Sequence, residues 1–301
     1  EDVEYKPKGT SPLGSSKDLV DRTEKIFGKG WRPEIDTMDT FVCSSWYYLR
    51  YPDASNNEFP FTEKSNKWLP VDYYIGGSEH ATMHLLYARF ITKALQKMKF
   101  INFSEPFTNL FHQGIITKDG SKMSKSKGNT VSPDTFVENY GSDTFRCYLM
   151  FMGPYDEGGD WNDKGINGIY RFLLRAFKLV IKSDNTNLND KDEFVIHSTI
   201  KCVTDDLSNM KFNTGLSRLM EFVNNFLEKG LNNKYKKVFI QLLSPFAPHI
   251  SEELWEYLGS SESVFSSKWP SFNKEKLVEK TIKIVIQVNG KLRGSIEIDL
   301  N

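Results

Sequence analysis

A change in hydrophobic pattern near residue 160 constrains the fold of this chain more than any other feature. Before it, short apolar runs alternate with helical patterns, and glycine turns follow the apolar runs. That order favours an α/β domain with a parallel sheet, a fold that binds ligands at the carboxyl ends of its strands. After it, amphipathic helical patterns follow one another, separated by Asn, Gly or Pro. They predict a helix bundle.

The patterns divide the chain into four regions. Residues 1–35 are rich in Gly, Pro, Ser and Lys and indicate a connector with little core. Residues 36–160 form the predicted α/β domain, and residues 161–260 form the predicted bundle. In 261–301, a linker leads to alternating apolar residues on both sides of Asn289–Gly290, which predicts a β-hairpin. Because a lone hairpin is marginally stable, we expect a further domain after it, and the opening residues suggest a longer polypeptide. The helical patterns cover 163–183, 191–210, 213–229, 234–244 and 247–258.

Within the α/β domain, the segment VDYYIGG predicts a buried strand, and a helix with Ser78 as N-cap follows it to Met98. Residues 107–117 indicate one further strand. Pro133 opens a short helix that Gly141 ends, and Ser142 caps the next helix.

Composition excludes several classes of protein. The 39 basic and 39 acidic groups balance, which argues against a globally basic nucleic-acid-binding coat. No run of about 20 apolar residues or signal-peptide core is present, so we expect a soluble, cytoplasmic protein. Cys43, Cys147 and Cys202 lie far apart, which indicates reduced thiols rather than a disulfide scaffold or a zinc knuckle.

A lysine-rich loop spans Lys122 to Asn129, with the sequence KMSKSKGN. Its ammonium groups at Lys122, Lys125 and Lys127, together with hydroxyls such as that of Ser124, suit a polyanion such as a nucleotide triphosphate. A solvated basic loop is the alternative interpretation.

The segment Gly76-Gly77-Ser78-Glu79-His80 stands where a strand yields to a helix. Glycine there lets a backbone approach a ligand, and Glu79 can accept hydrogen bonds from ribose hydroxyls. A plain turn between strand and helix explains the same residues.

His80 and His84 are one helical turn apart, with Tyr87 continuing the same face. A metal site is disfavoured, since the order is EHxxxH rather than HExxH and no third ligand is evident. The pair therefore belongs either to a core or to the wall of a small-ligand pocket. A second aromatic segment, with Phe41, Ser44 and Tyr47, is open to the same two interpretations.

Four segments resemble those of a known family. KMSKS followed by GN resembles the second signature of class I aminoacyl-tRNA synthetases. GGSEHATMHLLYARF and DTMDTFVCSSWYYLRY are similar to segments of the leucyl-tRNA synthetase family. PFAPHISEELW resembles an element of the helical tRNA-binding domain of class Ia enzymes. We interpret this last element as a well-packed helix start, and Trp161 as a hydrophobic joint between domains.

The resemblance implies the second half of a Rossmann-like class I catalytic domain, then the tRNA-binding bundle and the first hairpin of a C-terminal domain. It implies leucine, ATP with Mg²⁺, and tRNA(Leu) as partners, without zinc in this chain. Lys122, Lys125 and Lys127 would be catalytic. ATP would contact Gly76, Gly77, Glu79, Gln113, Lys122, Ser124 and Lys125, and leucine would contact Phe41, Ser44, Tyr47, His80 and His84.

Two features of the family are missing. A HIGH-like signature needs two closely spaced histidines, and His80 and His84 stand in the wrong sequence for it. The editing insertion is not evident either. We therefore expect part of a leucine–tRNA ligase that is inactive alone and needs an amino-terminal half, in the same chain or as a separate subunit. The alternatives are a non-catalytic tRNA-binding module and, less favoured, unrelated nucleotide chemistry.

Overall fold

A computed structural model describes residues 2–3, 11–36, 41–183, 187–277, 281–289 and 291–299. The chain forms two compact units, Glu1–His112 and Gln113–Asn301. Part of the predicted connector, residue 1 and 4–10, and part of the DTMDTF motif, 37–40, lie outside the described residues. The region boundaries predicted from sequence, at 35, 160 and 260, stay predictions.

The first unit contains a βαβ arrangement. Strands β1 and β2 are parallel, with Val71 opposite Phe107 and Gly76 opposite His112, and helix α5 connects them. A small core of Tyr48, Leu49, Ala88 and Ile101 packs against both strands, at Val71 and Phe107. The elements are α1 (Lys17–Phe27), α2 (Phe41–Ser44), α3 (Tyr47–Arg50), α4 (Glu63–Trp68), β1 (Val71–Gly76), α5 (His84–Lys97) and β2 (Phe107–His112), with 3-10 turns at Pro12–Ser15, Tyr51–Asp53 and Ser78–Thr82.

The region interpreted as a connector contains a helix that the sequence analysis missed. Helix α1 begins after Ser16, whose hydroxyl accepts a hydrogen bond from the Leu19 amide. Its apolar residues, including Ile26 and Phe27, recur at helical spacing, yet none of its residues is buried. The prediction of little core in this region agrees with that exposure.

The helix expected from Ser78 is interrupted. Met83 has φ −118° and ψ −107°, outside the helical region, so a 3-10 turn at Ser78–Thr82 precedes α5. Ser78 is not an N-cap, because Gly77 holds that position and no side chain caps the turn. Periodicity could not reveal this break, since a single backbone conformation causes it.

The single strand expected over 107–117 is two strands. Gln113 and Gly114 separate β2 from β3 (Ile115–Lys118), and the Gly114 amide donates to the Tyr155 carbonyl at 2.8 Å. A Cβ atom at Gly114 would clash with the backbone of Glu157 and Gly158. This close approach is what ends the first strand at His112.

The second unit holds a small sheet and the predicted bundle. The sheet order is β4-β3-β5, with β4 antiparallel and β5 parallel to β3. Each of the five helical patterns overlaps one helix, with bounds that differ by at most three residues. The elements after β3 are β4 (Ser121–Lys122), α6 (Pro133–Tyr140), α7 (Ser142–Phe151), β5 (Gly158–Trp161), α8 (Ile166–Ile181), α9 (Asp190–Ser208), α10 (Phe212–Phe226), α11 (Asn233–Leu243), α12 (Pro248–Tyr257), β6 (Thr281–Val288) and β7 (Lys291–Asp299). Ser142 is the first residue of α7 rather than its cap, which is Gly141 with φ 84°.

One continuous core holds the second unit together. Phe222 and Phe239 stack at 5.2 Å inside the bundle, and both are buried. Trp161 packs edge-on against Phe136 at 4.8 Å and Tyr148 at 5.0 Å in the same core. Trp161 thereby anchors strand β5.

The last described residues form an antiparallel pair. Strands β6 and β7 place Val288 opposite Lys291, with a register shift between Ile286 and Gln287. Asn289 has φ 53°, and Gly290 of the predicted turn lies outside the described residues. Whether this hairpin begins a further domain stays a prediction. In the described part of the chain, no helix is long and apolar enough to cross a membrane.

Candidate functional site

Four of the five residues predicted to contact leucine meet in the first unit. The Phe41 ring lies 6.2 Å from His80 and 6.5 Å from His84, between centroids. His84 lies 6.2 Å from the Tyr47 ring and 6.3 Å from His80. The two imidazoles come together although they stand on different elements, a 3-10 turn and α5. We call Phe41, Tyr47, Tyr74, His80 and His84 the aromatic–histidine cluster.

Tyr74, on β1, is the member that the sequence analysis missed. Its hydroxyl is hydrogen-bonded to the Tyr47 hydroxyl at 2.7 Å and to His84 Nε2 at 2.6 Å. Its neighbour Tyr73 is 55% exposed. Because side chains alternate along a strand, one of two adjacent tyrosines had to face the helix, and that alternation was the available signal.

The surroundings of His84 favour its neutral form. Burial, and secondarily the nearby His80, lowers the pKa of His84. Burial also raises the pKa of Tyr74. The Nδ1 atoms of His80 and His84 are buried without a hydrogen-bond partner among the described residues. A neutral His84 imidazole beside aromatic rings makes a wall suited to an apolar guest.

Ser44, the fifth residue predicted to contact leucine, is placed differently. Its hydroxyl donates to the Phe41 carbonyl at 3.1 Å, within the short helix α2. That hydrogen bond fixes the local turn that presents Phe41. Its contact with leucine stays a prediction.

The glycine turn after β1 is open to a ligand at Gly76. A Cβ atom there would meet nothing within 4 Å, whereas a Cβ atom at Gly77 would collide with the Glu79 carboxylate. Glu79 therefore folds back over the turn, which keeps its oxygens beside the Gly77 backbone. The predicted roles of these residues toward adenosine stay predictions.

The lysine loop belongs to the second unit and is braced from within. Asn129 Oδ1 accepts from the Ser124 amide at 2.8 Å, and its Nδ2 donates to the Lys122 carbonyl at 3.3 Å. Lys125 and Lys127 bound a 3-10 turn that ends at Gly128 with φ 66°, a left-handed conformation that favours glycine.

The three ammonium groups of the loop are presented to solvent. Lys122, Lys125 and Lys127 are exposed, whereas the Met123 side chain between them packs against the core. The Ser124 and Ser126 hydroxyls are hydrogen-bonded to each other at 2.7 Å. Because Met123 holds the loop against the core, the three exposed lysines can bind an anion without a large change in the conformation of the loop.

Gln113, predicted near the adenine, also lies in the second unit. Its Oε1 accepts from the Tyr155 hydroxyl at 3.2 Å. Its role toward the nucleotide stays a prediction. No group of three His, Cys, Asp or Glu side chains in the described ranges is arranged to hold a metal ion.

The PFAPH element joins two helices of the second unit. Asp143 on α7 is hydrogen-bonded to His249 Nδ1 at 2.8 Å and accepts from the Ile250 amide at 2.7 Å, both at the start of α12. Trp255 is buried, with the Lys237 ammonium 5.2 Å from its ring centroid. This packing supports a structural role for the element.

Two family models match the chain. The model described as tRNA synthetases class I (I, L, M and V) matches residues 14–161, and the model described as anticodon-binding domain of tRNA ligase matches residues 194–301.

Curated relatives and solved structures agree with these models. The leucine–tRNA ligase of Clostridium perfringens (strain SM101) is 51% identical over 99% of this chain, which covers 39% of that protein. The leucine–tRNA ligase of Clostridium botulinum (strain Langeland) is 48% identical over 98% of the chain, again 39% of its length. A ternary complex of Agrobacterium radiobacter K84 LeuRS with tRNA and LeuAMS matches with a TM-score of 0.81 at 35% identity, covering 99% of this chain and 42% of that one.

A more distant structure shows the fold alone. The methionyl-tRNA synthetase of Mycobacterium tuberculosis matches with a TM-score of 0.57 at 16% identity, covering 73% of this chain and 50% of that one. The chain spans about two fifths of the length of the curated relatives it matches. The resemblance drawn from the sequence motifs is confirmed. The chain therefore belongs to the class I tRNA synthetases, and within them it corresponds to a part of the leucine–tRNA ligases, 39% of their length.

Proposed function

We propose that this chain is part of a leucine–tRNA ligase, which activates leucine with ATP as leucyl-adenylate and transfers the leucyl group to tRNA(Leu). The observation that carries the proposal is the 51% identity over 99% of the chain to such a ligase. The working enzyme includes an amino-terminal half, in the same polypeptide or as a separate subunit, and acts in the cytoplasm.

The aromatic–histidine cluster binds the side chain of leucine. Its aromatic rings and the neutral His84 imidazole offer apolar walls, and Ser44 fixes the turn that carries Phe41. One missing methylene in such a pocket is worth only about 1–3 kcal/mol, so a proofreading activity elsewhere in the enzyme would complete the discrimination.

The lysine loop and the glycine turn bind ATP. Lys122 and Lys125, with Lys127 and Ser124, neutralise the phosphates, while Gly76, Gly77 and Glu79 receive adenosine and Gln113 lies near the adenine. The exposure of the three lysines and the open space at Gly76 support these roles. Mg²⁺, brought by the triphosphate, would add to the neutralisation of its charge.

The reaction needs positioning rather than a covalent enzyme intermediate. A carboxylate oxygen of leucine attacks the α-phosphorus, the bond to the bridging oxygen breaks, and pyrophosphate leaves. The ammonium groups stabilise the charge that grows on pyrophosphate. A terminal ribose hydroxyl of tRNA then attacks the carbonyl carbon of leucyl-adenylate, and AMP leaves.

Leucine-dependent pyrophosphate exchange tests the proposal. The 301-residue chain alone is expected to be inactive, and adding the amino-terminal segment of a relative restores exchange. In the restored enzyme, Lys125→Ala lowers exchange about a hundredfold, the usual loss when one charge-stabilising donor is removed. Lys201→Ala, which removes an exposed lysine of α9, is the matched control and leaves exchange unchanged. Exchange by the chain alone contradicts the predicted inactivity, and no exchange after the addition contradicts the ligase.

The alternative is a non-catalytic tRNA-binding module. The match of residues 194–301 to an anticodon-binding domain favours it. Binding of tRNA by the chain, weakening as salt rises, together with no exchange in the complemented enzyme, would support the module over the ligase.

A further inference from the structure

A two-residue turn carries the chain into the lysine loop. Asp119 and Gly120 have φ 54° and 69°, as a type I′ hairpin turn requires, and they connect β3 to β4. Strand β4 is only two residues long and ends at Lys122. Because so short a strand makes few backbone hydrogen bonds to its neighbour, the orientation of Lys122 depends on the other contacts that hold the hairpin.

Asp160 supplies that support from the neighbouring strand. Its Oδ1 atom accepts from Thr117 Oγ1 at 2.5 Å and from the Gly120 amide at 3.0 Å. The Thr117 hydroxyl first, and the Gly120 amide second, hold the pKa of Asp160 below its ordinary value. One carboxylate oxygen therefore ties both the strand and the turn of the hairpin to β5.

The sheet register places these groups in one row. Thr117 is opposite Lys122 on one side and opposite Asp160 on the other, and residues directly opposite share a face of the sheet. Trp161, the next residue of β5, points to the other face and is buried in the core. Strand β5 is thus anchored by Trp161 and reaches the hairpin through Asp160.

The lysine loop follows the hairpin as a unit. Asn129 ties the Lys122 carbonyl to the Ser124 amide across the loop, and Met123 packs against the core. Asn129 therefore links the end of the hairpin, at the Lys122 carbonyl, to the segment that carries Lys125.

We propose that Asp160 is a positioning residue: it fixes the β3–β4 hairpin and thereby aligns Lys122 and Lys125 with the phosphates of ATP, an assignment that rests on the proposed function. Its role is that of a hydrogen-bond acceptor. Asp160→Asn keeps an oxygen acceptor at the same position without the charge, whereas Asp160→Ala removes it. Asp156, an exposed carboxylate four residues earlier, offers the matched control Asp156→Ala.

Amide hydrogen exchange of the 301-residue chain is the first measurement. In Asp160→Ala, exchange at Gly120 is expected to be about two- to tenfold faster, the range for loss of one hydrogen bond. Asp156→Ala stays within about twofold of the original chain, and Asp160→Asn, whose uncharged oxygen is a weaker acceptor, lies between the original chain and Asp160→Ala. Thr117→Val, which removes the other donor, accelerates exchange in the same direction and serves if Asp160→Ala does not fold. Unchanged exchange at Gly120 in Asp160→Ala overturns the assignment.

The second measurement is the steady-state kinetics of pyrophosphate exchange with the amino-terminal segment added. Asp160→Ala is expected to lower kcat about tenfold and to leave KM for leucine unchanged, because a displaced group loses its alignment in the transition state. Asp160→Asn restores kcat. An Asp160→Asn variant as poor as Asp160→Ala overturns the acceptor role. An original chain that stays inactive after the addition overturns the proposed function itself, while Gly120 exchange still decides whether Asp160 fixes the hairpin.

Discussion

Replacing Tyr74 by phenylalanine tests the aromatic–histidine cluster most directly. The change removes one hydroxyl that is hydrogen-bonded to Tyr47 at 2.7 Å and to His84 Nε2 at 2.6 Å. The ring stays, so its stacking on Phe107, at 3.7 Å between centroids, is kept. The effect is therefore one of hydrogen bonding rather than of packing.

The magnitude follows from what is left behind. His84 is 9% exposed and its Nδ1 already lacks a partner among the described residues, so Tyr74→Phe leaves the whole imidazole unsatisfied. Tyr47 is half-buried and can turn to water. Leaving one buried polar group without a partner costs about 1–3 kcal/mol of unfolding free energy. The double variant Tyr74→Phe/His84→Leu is expected to lose less than the sum of the two single changes, because both partners are then apolar.

Native-state hydrogen exchange of the β1 amides measures the free energy of opening within the first unit, which a global unfolding curve of a two-unit chain does not isolate. The control is Tyr73→Phe, at the exposed neighbouring position, for which a change below about 0.5 kcal/mol is expected. If the two variants differ by less than about 0.5 kcal/mol, the hydrogen-bonded role of Tyr74 is refuted.

Three further predictions concern stability. Gly158→Ala should cost about 3–5 kcal/mol in urea unfolding, since φ is 83° and the new Cβ would collide with the Ile115 carbonyl oxygen and lie 2.8 Å from its carbonyl carbon. Gly120→Ala, at φ 69° in open space, should cost about 1–2 kcal/mol. Equal losses would contradict the clash. Phe239→Ala, at a buried position stacked on Phe222, should cost about 3–5 kcal/mol in the same assay. Burial lowers the pKa of His197 from 6.5, so the unfolded chain binds more protons than the folded chain and stability falls as the pH drops below 6.5. His197→Asn, which keeps an acceptor for the Asn273 amide, should therefore make the melting temperature fall less steeply with decreasing pH. An unchanged slope of melting temperature against pH would disprove this role of His197.

Much of the secondary structure could be predicted because hydrophobic period reports which residues become buried. Strand β1 lies where the segment VDYYIGG placed it, but the prediction that it is buried was wrong, since none of its residues is buried. The five bundle helices also lie where the pattern placed them, since burial against the core of the second unit selects their faces. The motifs also predicted the family, because they are long literal segments. The exposure of Lys122, Lys125 and Lys127 agrees with the charge of the loop.

Features that depend on the conformation of one residue or on one close backbone contact could not be predicted from the sequence. The break at Met83, the division of 107–117 at Gly114 and the hairpin turn at Asp119–Gly120 each depend on dihedral angles or on backbone contact with residues far along the chain. The Asp-Gly pair was a signal for that turn, but the surrounding lysines and serines hid the short strands beside it.

The amino-acid sequence by itself determined that an α/β region precedes a helical one, the family, and the chemical character of the two binding segments, because periodicity and literal motifs are local properties. Only the tertiary structure brought Tyr74 to His84 and Asp160 to Thr117. Those partners are joined by strand register and helix packing, which depend on contacts between residues distant in the chain and so leave little trace in the residues themselves.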